Sequence, residues 1–190
     1  MTTLFLIAAL LAGLGSVRSR PKTDPDAVAP VKKLSPDELR AEVDSYLGSI
    51  DTPISAARWR SLGPQAAPLL EPMIADAKEL PTQRARALEG LVAVAPDRAQ
   101  ALVGRLAQSE DEPVVVRVAA LYGAARLFGP RRLLAALKPV LEGAKEPGMR
   151  ATAAEVLAHH GKAAGCSAVR AQVAREQDRS GFARALEHCE

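Results

Sequence analysis

Aromatic rings are scarce in this chain: one Trp, two Tyr and three Phe make up 3% of its 190 residues. A core cannot be built from so few rings. The 48% apolar content must pack mainly as Ala, Leu and Val, which favours helix against helix. Motifs of chemistry are missing as well. The chain has no Gly-rich phosphate loop, no His-Glu-x-x-His helix, no Gly-x-Ser-x-Gly elbow and no Cys-x-x-Cys pair. No catalytic residue, cofactor or resident metal is therefore expected, and the chain is read as a non-enzyme.

A strong charge of one sign is also lacking. The formal net charge is +3, from 25 basic and 22 acidic side chains, and Arg18 and Arg20 follow the N-terminal apolar run. Without residues 1–20 the balance is 23 minus 22, or +1, which argues against a nucleic-acid partner. The longest uncharged apolar run is LFLIAALLAGL at 4–14. It is well short of the roughly 20 residues that span a bilayer and has the length of a signal-peptide core. Residues 1–17 are accordingly expected to be an export signal cut near Gly15 or Ser16. The segment before the run carries no Lys or Arg, whereas Arg18, Arg20 and Lys22 follow it. An uncleaved membrane anchor through residues 3–17 is the alternative. No Cys stands just after the run to support lipid attachment. The expected compartment is periplasmic or secreted. Residues 18–35 carry Pro21, Pro25 and Pro30 with few large apolar side chains and are expected to be a flexible linker.

Residues 36–190 are long enough for one core. Apolar residues recur there at three- and four-residue spacing and no stretch alternates as a strand would, so the domain is expected to be all-α. Ser35 and Glu38 form a capping box with Pro36 at the first helical position, predicting a helix from Pro36 to about Leu47. Cut before its breakers, the later chain falls into units that start at Pro81, Pro113, Pro147 and Gly181, at nearly even intervals. A regular period in the range of roughly 20–50 residues signals a stacked solenoid. In each unit Arg84, Arg117 or Arg150 begins an Ala-rich helix that Pro96, Gly129 or Gly161 ends. A second helix then returns with Leu102 and Leu106, Leu133 and Leu137, or Val169 and Val173. A less regular unit spans Pro53 to Lys78, with Trp59 expected to be the bulk that fills its interior. Tyr122 and Phe128 are expected to be mostly buried.

The stretches VRVAALYGAARLFG (116–129) and MRATAAEVLAHHG (149–161) are similar to the loose pattern V-R-x-x-A-A-x-x-L-x-x-x-G. In this the chain resembles the HEAT-repeat family, including the shorter HEAT-like repeats of the bilin-lyase type, from about Thr52 to Cys189. The resemblance implies a right-handed α-solenoid of HEAT-like hairpins whose second helices line a concave surface. It also implies either a protein-interaction scaffold or, as in the bilin lyases, a lyase or small-ligand-binding protein.

Both cysteines, Cys166 and Cys189, lie at the C-terminal end, and their midpoint falls in the expected turn QDRSG at 177–181. Two antiparallel helices folded about that turn would bring them opposite each other, as a disulfide requires, and would fasten a last, incomplete unit. Two rivals stay open: a zinc site shared with His159, His160 and His188, and free thiols used in packing. His159 and His160 lie at a helix end where the dipole favours cations, which argues against acid/base work. Charge is mildly segregated: residues 21–80 hold 7 basic and 10 acidic side chains, residues 81–190 hold 16 and 12. Arg98, Arg105, Arg131, Arg132, Lys138 and Arg170 fall on second helices and are the candidate contacts for an acidic protein partner of the cell envelope.

Overall fold

The computed structural model describes residues 30–49 and 52–190. The expectations placed on the leader and on residues 18–29 lie outside the described residues. Among the described residues the chain is all-helical, with ten α-helices and no strand.

Helix starts follow the local chemistry. In α1 (Pro36–Gly48) the Glu38 amide donates to Ser35 Oγ at 3.3 Å, and the Ser35 amide donates to Glu38 Oε2 at 2.8 Å. Both orphan N–H groups are thereby satisfied. Pro also opens α4 (Pro81–Val94), α5 (Pro96–Gln108), α7 (Pro130–Gly143) and α8 (Pro147–His160). Its missing N–H costs nothing at that position. The other helices are α2 (Ala56–Leu62), α3 (Ala67–Ala75), α6 (Val114–Leu127), α9 (Lys162–Val173) and α10 (Ala183–Glu187).

The helices pack in neighbouring pairs and in two rows. One row holds α2, α4, α6, α8 and α10 in chain order, and beside it lie α5, α7 and α9. Helix α3 packs on α4, and α1 covers the N-terminal end against α3 and α4. Leu88, Leu91, Leu121 and Leu157 are fully buried between the rows, with Ala87, Ala120, Ala124, Ala153 and Ala154. Each Leu so buried stabilises by about 1.5–3 kcal/mol relative to exposure. Small residues set the closest approaches. A Cβ on Gly90 would stand 2.9 Å from the Trp59 ring, and one on Gly165 only 2.3 Å from the Leu157 carbonyl oxygen. Trp59 is buried and meets Tyr46 edge to face at 5.0 Å, as a space-filling role requires.

Two expectations need correction. Phe128 is buried, but Tyr122 is 44% exposed, because it lies on the face of α6 turned away from the second-helix row. The end of the expected linker is bound to the domain: the Lys32 amide donates to the Ser61 carbonyl at 2.7 Å, and Lys32 Nζ lies 2.6 Å from Glu42 Oε1. Leu34 packs on the core there as well.

Arg84, Arg117 and Arg150, which open the repeated first helices, stand at equal intervals along the chain and serve as joints. Arg84 donates from Nε to the Ile74 carbonyl at 3.0 Å and pairs with Glu112 at 2.7 Å. Arg117, with a side chain 1% exposed, pairs with Glu110 at 2.7 Å and Glu146 at 2.9 Å. Arg150 pairs with both oxygens of Glu176 and donates to the Ala144 carbonyl at 2.7 Å. Each guanidinium therefore holds an acid at the close of its own hairpin and an acceptor at the close of the preceding one. A buried Arg without such partners would carry a desolvation cost of several kcal/mol.

Gly165→Ala should destabilise by about 1–3 kcal/mol, because backbone must move to admit the methyl group. Gly104→Ala on α5 meets nothing within 4 Å and should instead stabilise by roughly 0.5–1 kcal/mol. Urea unfolding of the two variants tests the opposed signs.

Glu176 is held below the usual carboxylate range, first by its hydrogen bond from Arg150 and then by Gln172. Glu146 is lowered by its own backbone N–H and further by Arg117. Carboxyls whose folded pKa is depressed stabilise fully above their unfolded value and lose that contribution as pH falls through the folded value. Stability should thus be flat near neutrality and decline in acid, from about pH 4.5 downward. Glu176→Gln should flatten that decline in acid urea titrations; an unchanged slope would remove the ion pair from the account.

Candidate partner surface and C-terminal clasp

The second helices bury Leu106, Leu133, Leu137 and Val169 inward, with Leu102 half-buried, and turn their cations outward. Four of the six cations expected as partner contacts are engaged within the chain. Arg98 on α5 pairs with Glu71 on α3. Arg132 lies over the Phe128 ring at 4.1 Å and donates to Gln100 of α5. Lys138 lies 3.9 Å from Glu142 one turn along α7. Arg170 donates to the Cys189 carbonyl. Arg105 and Arg131 are exposed and form no ion pair among the described residues. The six do not form one continuous stripe of unengaged charge; Arg98, Arg132 and Arg170 tie one segment to another.

At the C-terminal end of the stack, α10 has only five residues and little area with which to hold itself. Phe182 and Ala185 are buried, and α10 packs on α8 and α9. Cys166, near the start of α9, is disulfide-bonded to Cys189, with Cα atoms 5.3 Å apart. The close crossing at Gly161 and Gly165 keeps α8 and α9 thin beneath this clasp. Arg170, one turn along α9 from Cys166, holds the Cys189 carbonyl, so covalent and polar ties converge on the same few residues.

The His159 and His188 rings meet with centroids 3.5 Å apart, while His160 lies 6.1 Å from His159. Both sulfurs are taken up by the bond between them. Among the described residues no group of three or more His, Cys, Asp or Glu side chains converges as a metal site would require.

The chain matches no family model, no curated protein and no solved structure. Its functional reading therefore rests on its own geometry.

Two open cavities flank the turn between α6 and α7. One, of about 560 Å³, is lined by Ser55, Arg60, Val92, Pro96 and Arg126 among others. The other, of about 540 Å³, is lined by Gly129, Pro130, Arg131, Arg132 and Lys162. Lys162 went unnoticed in the sequence because its neighbours on the surface belong to the preceding hairpin; only the pairing of α7 with α9 brings it beside Arg131. The acids Glu112, Glu146 and Glu176 were missed too. Their signal was present, since each stands a little less than one repeat after one of the recurring arginines.

Replacing Cys166 and Cys189 together by Ser should lower unfolding free energy by about 3 kcal/mol, the loop-closure entropy for a separation of 23 residues. Denaturation of wild type with and without reductant should show the same difference. A shift under ~0.5 kcal/mol would mean that Phe182 and Ala185 alone hold the cap.

Proposed function

We propose that the chain is a right-handed α-solenoid of HEAT-like hairpins that acts as a protein-interaction scaffold in a bacterial-type cell envelope. Its partner docks on the row formed by α5, α7 and α9, the concave side of such a stack. The observation that carries the reading is the repeated joint: Arg84, Arg117 and Arg150 make equivalent ties at equal intervals, as stacked units of one kind require. A stack so tied is a stiff surface that exposes Arg105, Arg131 and Ala135 on one side. The envelope address is supported by the bonded cysteine pair, since disulfides persist in oxidising compartments, and by the apolar run at 4–14. Among the described residues no helix is long and apolar enough to cross a membrane.

Photo-crosslinking side chains placed at Arg105 and Ala135 of the protein expressed with its own leader test this. Both positions should capture the same protein, whereas a cross-linker at Tyr122, on the opposite row, should not. Capture from Tyr122 alone, or from none of the three, would sink the assignment of the docking face.

A further inference from the structure

The two edges of the helix stack treat charge in opposite ways. Between hairpins, Arg84 and Arg117 are buried and Arg150 is half-buried, and each holds a carboxylate. At the turns of the two later hairpins, Arg131 and Lys162 are exposed and form no ion pair among the described residues. There Gly129, Pro130, Arg131, Arg132 and Lys162 surround the open cavity of about 540 Å³, and no carboxylate lines it.

We propose that this cavity is the seat for an acidic peptide segment of a partner protein, whose carboxylates lie across the first turns of α7 and α9. The proposal rests on the reading of the chain as an interaction protein, but assigns the anionic contact to the turn edge rather than to the row of second helices.

Charge complementarity carries it. Arg131 and Lys162 form no ion pair among the described residues, and each sits in the first turn of a helix, where the macrodipole works against a cation. Arg132 is braced by the Phe128 ring and by Gln100, which leaves its position defined while supplying no negative charge. Three like charges from two helices around one opening thus repel one another, with no carboxylate in the lining between them. A carboxylate at the mouth removes that repulsion and accepts hydrogen bonds from guanidinium and ammonium groups. The cavity is open along the edge, so it admits a chain passing across it rather than enclosing a small anion. The neighbouring cavity is a poorer seat for carboxylates, because Glu89 already faces Arg126.

The test is fluorescence anisotropy of a labelled Glu-rich peptide with the purified full chain, its disulfide intact, at low and moderate salt. The Glu peptide should bind and weaken with added salt, while a Gln peptide of equal length should not bind. Arg131→Glu with Lys162→Glu should weaken binding by at least about tenfold. Unfolding curves of that variant should match wild type, since neither side chain holds the fold. Arg105→Glu should leave binding within about twofold, because it stands on the second-helix row. No binding of the Glu peptide, or binding retained in the double variant, overturns the proposal. So does an equal loss from Arg105→Glu, which would place the anion on the row itself. Complete displacement by inorganic phosphate would identify a small-anion site and overturn the peptide assignment. The readout uses purified protein, so failure of the cross-linking experiment leaves it standing, and its own failure leaves the docking row standing.

Discussion

The stack depends on guanidinium groups placed at the start of successive first helices. Arg117 shows why Arg and not Lys occupies this place: two of its nitrogens reach two separate acids, one from the preceding hairpin and one from its own. A Lys ammonium is a single point and has no fork with which to span such a pair. Burial makes the demand strict. With the side chain 1% exposed, water cannot replace a missing acid, so the loops that deliver Glu110 and Glu146 must come to fixed positions. Arg84 and Arg150 add main-chain carbonyls at the ends of the preceding second helices, which otherwise lack intrahelical donors. One residue type thus satisfies helix ends, neutralises acids and sets the spacing between hairpins.

Around these ties the packing is close because the side chains are small. Where α8 crosses α9, Gly161 and Gly165 let the backbones meet with no side chain between them. In the first unit Trp59 takes up the space beside α4, which answers with Gly90 beneath the indole ring. The bulk of one and the absence of side chain in the other are a single solution to a local mismatch in the repeat. At the C-terminal end area runs out, and the Cys166–Cys189 bond replaces it.

Hairpin boundaries were legible in the sequence because Pro and Gly mark them by local rules: Pro81, Pro96, Pro130 and Pro147 all stand at helix starts. The pairing of Cys166 with Cys189 was legible because symmetry about a turn needs only counting. Partner choice among charges was not. Arg98, Arg132 and Arg170 looked like surface cations on one face, yet their partners Glu71, Gln100 and the Cys189 carbonyl come from other segments of the chain. Such pairings depend on the angle between helices, which periodicity does not encode. Tyr122 failed for a related reason: its helix is flanked by α4 and α8 in one row and by α5 on one side, which leaves the other side open.

The equal interval between Arg84, Arg117 and Arg150 also bears on how such a chain can change length. Every seam presents the same halves, a guanidinium on one side and an acid or carbonyl on the other. A whole interval excised between Arg84 and Arg117, or copied there, leaves each remaining half facing a counterpart of the same chemistry. A cut out of step with that interval would strand a buried cation. In the solenoid proposed above, growth and loss are therefore quantised, and reach changes by whole steps without redesigning any joint.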